Sequence, residues 1–166
     1  MNSTSAGRDR DAAGRPRNAR PRDALGRPLP RDAAGAERVP DDLILPPAEA
    51  LALAQQLIDT DRPFHAHEVL EASWKAAAPA ERDLWQGLAQ VAVGLTHAQR
   101  GNGRGAAVLL RRGAARVGGY AGTAPHGIDA DGISQACAEL AARIEATGLD
   151  PLAAQDLRPR LTVPGS

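Results

Sequence analysis

The sequence predicts an all-α fold, a single compact bundle of about five helices with irregular N- and C-terminal tails. Three observations carry this. From about Pro46 to Ala146 apolar residues return at steps of three and four, the spacing of one helix face. Proline and glycine fall between those stretches, where helices start and stop. No convincing strand, with residues alternating apolar and polar, appears anywhere in the chain.

The first helix is expected from Pro46 or Pro47 to Thr60, with proline at its entry, Glu49 in its first turn and Leu51, Leu53, Ala54, Leu57 and Ile58 inward. DTDRP breaks it, and the second helix follows from Pro63 to about Ala78. Its core face is read as Phe64, Leu70 and Trp74, with Ala66, Val69 and Ser73 on other sides and His65 at the surface. Pro79 opens the third helix. After the charged turn Glu81, Arg82 and Asp83, about 17 residues carry almost no charge, the mark of a central helix. Gly87, Val91, Gly94 and Ala98 form a ridge of small residues that lets a neighbouring backbone come close. GNGRGAA ends this helix through Gly101 and starts the fourth, with Asn102 as its cap and Ala106, Leu110, Gly113 and Val117 inward. A fifth helix is expected from Ala130 to Ala146, stopped by Gly148, with Cys137 as a small core residue. His126, in the loop before it, is read as incidental.

Residues 1–42 read as a flexible arm rich in Arg, Asp, Pro and Gly, residues 43–149 as the helical bundle domain and residues 150–166 as an irregular C-terminal tail. Within the arm DAAGRP at Asp11–Pro16 returns as DALGRP at Asp23–Pro28. The chain of 166 residues is long enough for one domain with a real core, and hydrophobic residues make up 43%. Only four aromatics are present (two Trp, one Tyr, one Phe), so Ala, Leu and Val must build the interior. Twenty basic and 20 acidic residues cancel, which removes any argument from net charge for nucleic acid or an anionic membrane. In residues 1–45 nine Arg stand against seven acidic residues, so the arm is a poor nucleic-acid binder as well. A single cysteine forms no intrachain disulfide and fits a reducing compartment. Charges crowd the N-terminus where a secretory leader needs an apolar run, and no later run is long enough to span a bilayer. The expectation is a cytoplasmic protein.

Ionisable and amide side chains recur at core-like spacing on the second and third helices. On the second, Phe64, His67, Glu71 and Trp74 share a stripe, with Glu68 at its edge; on the third, Gln86, Gln90 and His97 share one around Val93. These residues, with Asn102 at the following turn, are expected to form a buried or cleft-lining polar cluster.

FHAHEVLEASW, QGLAQVAVGLTHAQRGN and GAAVLLRRG, in that order, resemble the signature of the uncharacterised family known as domain of unknown function 309. The resemblance covers about residues 50–150 and implies a compact all-helical domain. Its pattern centres on His67, Glu68, Glu71, Trp74, Gln90, His97, Asn102, Gly105 and Ala106. GLAQ departs modestly from it, with Ala89 where a bulkier residue is expected. No established activity comes with the family.

Two readings of function follow. HEVLE differs from the HExxH zinc motif by Glu71 in place of the second histidine. His67 and Glu71 would ligate a divalent metal with His97 as third ligand, and Glu68 would serve as base for a bound water, a hydrolytic arrangement. More broadly, His67, Glu68, Glu71, Gln90 and His97 would line a site for a small ligand that solvent can reach. Di-iron bundles need ExxH segments, which this chain lacks. GNGRG follows no strand, so it is a helix cap and not a phosphate loop. The second reading is a tetratricopeptide-like helical interaction module, built on GLTHAQRGNGRGAAVLLRRGAARV, that takes a peptide or a second copy of the chain while the polar cluster is purely structural. The absence of a 34-residue repeat counts against a true solenoid. Whether the protein is an enzyme does not follow from these residues.

Overall fold

The computed structural model describes residues 44–165, so the arm at 1–42 lies outside the described residues. Five helices follow one another: α1 (Pro47–Asp59), α2 (Pro63–Ala76), α3 (Arg82–Gln99), α4 (Gly103–Gly118) and α5 (Ala130–Thr147). Each packs chiefly against its neighbours in the chain, as short connections between antiparallel helices require. Two 3-10 turns, Pro79–Glu81 and Ala154–Leu157, complete the regular structure, and Ile128 and Thr162 form one isolated antiparallel bridge.

The punctuation behaves as the sequence implies. Proline occupies the first turn of α1 and α2. Asn102 caps α4 by accepting from Gly105 N at 3.0 Å, and Asp129 caps α5 by accepting from Gly132 N at 3.0 Å. Gly101 and Gly148 take positive φ, 82° and 74°, where the chain leaves α3 and α5. The third helix starts later than the sequence suggests, because Pro79–Glu81 forms a 3-10 turn before α3 begins at Arg82.

The centre of the bundle is α3. Leu84, Trp85, Leu88, Val91, Ala92 and Leu95 are all buried. The small-residue ridge meets α4: a Cβ on Gly94 would sit 2.9 Å from Leu110 Cγ, and one on Gly87 2.9 Å from both Arg116 Cβ and Val117 Cγ2. Facing it from α4, Gly113 lies against Val91 and the Gly87 carbonyl. Cys137 is buried in α5, and burial pushes its thiol pKa up to about 12, so it is held as an inert thiol.

The face of α2 differs from the expected one. Its buried side is Ala66, Val69, Leu70 and Ser73, together with His65, which is 1% exposed and not a surface residue; Phe64 and Trp74 are half-buried. Alanine on nearly every side of α2 leaves the apolar stripe ambiguous, and packing against both α1 and α3 selects the broader small-residue side.

After α5 the chain returns across the bundle. Gln55 of α1 donates from Nε2 to Pro159 O at 3.0 Å and accepts from Leu161 N at 2.8 Å. Asp129 N donates to Leu161 O at 3.0 Å, and Leu161 is 1% exposed. Arg158 donates to both carboxylate oxygens of Asp61, at 3.0 and 2.8 Å, which holds that carboxyl below the usual Asp range.

Two substitutions test this packing. Gly113→Ala should destabilise by about 1–3 kcal/mol through overpacking, although alanine is the better helix former by about 1 kcal/mol. The reason is that its Cβ would stand 2.7 Å from Val91 Cγ2 and 2.8 Å from Gly87 O. Leu161→Ala should cost about 2–5 kcal/mol in urea unfolding if the return segment is part of the core; a change below 1 kcal/mol would make it a loosely attached tail.

Candidate functional site

A hydrogen bond at the foot of the α2–α3 pair sets the register. Gln99 Nε2 donates to the carbonyl of Asp61 at 2.9 Å. The helices run antiparallel, and each rises about 1.5 Å per residue. Counting upward from this contact brings Phe64 level with Thr96, His67 with Val93, Glu71 with Ala89 and Trp74 with Gln86, so His97 and Gln90 each stand one residue, about 1.5 Å, nearer the foot than Phe64 and Glu71. On α2, Phe64, His67, Glu68, Glu71 and Trp74 are all half-buried, and on α3 so are Gln86, Gln90, Val93 and His97. The outward stripes of both helices are therefore more enclosed than an ordinary solvated face.

His67 is the most constrained member. Its Nε2 lies 3.3 Å from Glu71 Oε2, and Lys75 Nζ lies 3.3 Å from the other carboxylate oxygen. Burial pushes the His67 pKa below its ordinary value; the Glu71 carboxylate opposes that shift and Lys75 adds to it. The ring is thus neutral near pH 7. A carboxylate beside Nε2 favours the proton there, which leaves Nδ1 a bare lone pair. That Nδ1 is buried and has no hydrogen-bond partner. Gln90 Oε1, just below the level of Glu71, is buried and unpartnered too, and Gln99 Oε1 shares that condition at the foot of the hairpin. The Phe64 ring stands 5.8 Å from that of His67, and the Arg100 guanidinium lies over it at 5.8 Å.

His97 and Asn102 do different work. Asn102 Oδ1 is committed to the α4 cap, so its amide nitrogen donates to His97 Nδ1 at 3.1 Å. Gly105 must lack a side chain there, because a Cβ would crowd Asn102 Nδ2 at 2.5 Å. His97, Asn102 and Gly105 thereby lock the α3–α4 turn. Among the described residues no three His, Cys, Asp or Glu side chains are grouped as a metal ion requires, and His67, Glu71 and His97 are not brought together as a ligand set. Gln86 is half-buried on the same stripe. Trp74 packs its indole against the core from the edge.

Sequence reasoning missed a second polar group. Glu81 accepts from Trp85 Nε1 at 3.3 Å and lies 2.7 Å from His126 Nε2, while Tyr120 OH donates to Ala80 O at 2.7 Å. His126 takes φ 61° to reach Glu81, so it fastens the α4–α5 loop over the start of α3. Its place beside Pro125 and Gly127, in a tight turn, was the one local signal.

Residues 51–109 match the family model described as Domain of unknown function (DUF309), which bears out the resemblance over most of α1, all of α2 and α3 and part of α4. No curated protein and no solved structure matches the chain. Among the described residues no helix is long and apolar enough to cross a membrane.

The neutral His67 has a measurable consequence. Its folded pKa lies below the unfolded value of about 6.5, so in the window just under that value the unfolded chain binds more protons. Stability should therefore rise with pH through this window and fall on acidification. An NMR titration should place the His67 ring below 6.5, and His67→Gln should flatten the slope. A ring that titrates above 6.5 would contradict the buried neutral form.

Proposed function

We propose that the outer face of α2 and α3 binds a small polar ligand, with His67, Glu71 and Gln90 making the hydrogen bonds and Phe64 and Trp74 forming apolar walls. The observation that supports this reading is the pair of buried, unpartnered atoms His67 Nδ1 and Gln90 Oε1 on adjoining helices. Each unmade hydrogen bond costs about 1–3 kcal/mol, and closing a core needs neither group, since a leucine or methionine fills the same volume. Both atoms are covered, so a ligand reaches them as half-exposed side chains above them rotate. Glu68, on the same face, supplies a second carboxylate. A hydrolytic role for it would need a metal-bound water, and with no ligand triad among the described residues hydrogen bonding is the better supported basis for the site.

The interaction-module reading finds less support. The large apolar side chains left exposed among the described residues are three, Ile44, Val108 and Val163, few for the contiguous apolar lining that a peptide-binding groove needs.

A thermal-shift screen of polar metabolites against the wild type and Gln90→Leu tests the proposal. A ligand that raises the wild-type Tm by several degrees and leaves that of Gln90→Leu unmoved supports it. If Gln90→Leu is simply more stable and no ligand distinguishes the two proteins, the amide is a structural residue and the proposal fails.

A further inference from the structure

We infer that the outer faces of α4 and α5 dock on the same faces of a second copy of the chain, in a two-fold dimer that sets Arg112 of each copy against Glu139 of the other. Charge is divided unevenly between these two helices. α4 carries four arginines and no acid, whereas α5 carries Asp131, Glu139 and Glu145 against Arg143 alone. Part of that charge is settled within the chain: Arg111 donates to both carboxylate oxygens of Glu145 at 2.7 Å, and Arg116 pairs with Asp83. Two groups are left over. Among the described residues Arg112 makes no ion pair, and Glu139 has no cationic partner, its carboxylate receiving the side-chain amide of Gln135 at 3.2 Å. Within one copy they cannot meet. Arg112 stands on α4 between Arg111, which reaches α5, and Arg116, which reaches the start of α3, so it faces outward. Ser134 and Glu145 turn toward α4, and Glu139 lies about 120–140° round α5 from both.

A second copy brings them together. α4 and α5 run antiparallel, with Gly103 against Ile144 at one end and Ser134 against Ala114 near the other. Ser134 Oγ donates to Ala114 O at 2.9 Å and lies 2.8 Å from the point a Cβ on Gly118 would occupy, so Ser134 stands midway between those residues, level with Arg116. Counting from there puts Val108 level with Ala142, Ala115 with Gln135, and Arg112 within one residue, about 1.5 Å, of Glu139. All six side chains are exposed. A two-fold axis parallel to the helices leaves each residue at its own height while setting α4 of one copy against α5 of the other. The height-matched pairs then meet across the contact, each of them twice. Val108 packs on Ala142 and Ala115 on Gln135 along the middle, where small side chains let the helices approach, and Arg112 meets Glu139 at both rims, as flanking charges do in paired helices. Charge complementarity thus selects the occupant: a basic and an acidic helix side by side make a surface that fits its own copy, whereas a uniformly basic face would call for an acidic partner or a phosphate chain. With Val108 as the large apolar side chain at its centre, the dimer is a reversible one, short of the apolar area of an obligate interface.

Sedimentation velocity of the full-length protein over a wide concentration range tests this. The wild type should show a monomer–dimer equilibrium. Arg112→Glu and Glu139→Arg should each raise the dimer dissociation constant about tenfold or more. An equimolar mixture of the two variants should nevertheless form a heterodimer about as tight as the wild-type dimer, because opposite charges then face each other at both rims. Ala142→Arg, which sets a cation against the basic helix of the other copy, should weaken the dimer as well, whereas Ala136→Arg, exposed on another side of α5, should leave it unchanged. Circular dichroism of each variant checks that the bundle persists. A wild type that stays monomeric at every concentration overturns the inference, and one that is monomeric but sediments faster with added poly-glutamate gives the basic face of α4 to an acidic partner instead. A dimer indifferent to both single charge reversals places the contact elsewhere and overturns it too. So does a mixture that stays monomeric when each single variant is monomeric, since the two charges then do not face each other.

Discussion

The closeness of α3 to α4 is the constraint from which the rest of the bundle follows. With four aromatics in 166 residues, the interior cannot be filled by large rings. Density comes instead from bringing backbones together, which Gly87 and Gly94 on α3 and Gly113 on α4 allow. A helix engaged this tightly on one side, and packed against α2 on another, has little surface left. Its last outward strip is Gln86, Gln90, Val93 and His97, and even that strip is half-buried. Polar residues on it are thus drawn into an enclosed environment, where an unmade hydrogen bond is expensive and a neutral imidazole beats a charged one.

The polar residues of the expected cluster divide in two on this basis. At the α3–α4 turn the His97–Asn102 pair is closed: Asn102 caps α4 with its oxygen and donates to His97 with its nitrogen, and Gly105 leaves the room. Nothing in that arrangement calls for a ligand. At the level of His67 and Gln90 the accounting stays open, because two acceptors lack donors.

Much of this was legible in the residues. Five helices, their proline entries, the Asn102 cap and the glycine ridge all follow from local spacing and from backbone chemistry that acts within a few positions. The buried face of α2 did not follow, because Ala66, Ala72 and Ala76 blur the stripe and the choice falls to partners far along the chain. His65 was misplaced for that reason. The Glu81–His126 contact and the burial of Leu161 depend on pairings across 45 and 106 residues, distances at which periodicity carries no information. Polar spacing on α2 and α3 did mark the half-buried face. Which atoms on it lack partners could be known only from the packed structure.

Asp61 connects these levels. It sits between α1 and α2 with φ 62°, a left-handed turn that a short polar side chain tolerates better than a branched one. Its carbonyl takes the Gln99 amide, which fixes how far α3 rises beside α2, and its carboxylate takes both arms of Arg158 from the returning C-terminal segment. The same residue thus sets how far α3 rises beside α2 and anchors the strap that closes the core through Leu161. A shift of one residue in that register would rotate Gln90 by about 100° relative to α2. The register of α3 beside α2 is therefore held by backbone geometry at one turn, and the segment after α5, which has no long helix of its own, helps keep that turn in place.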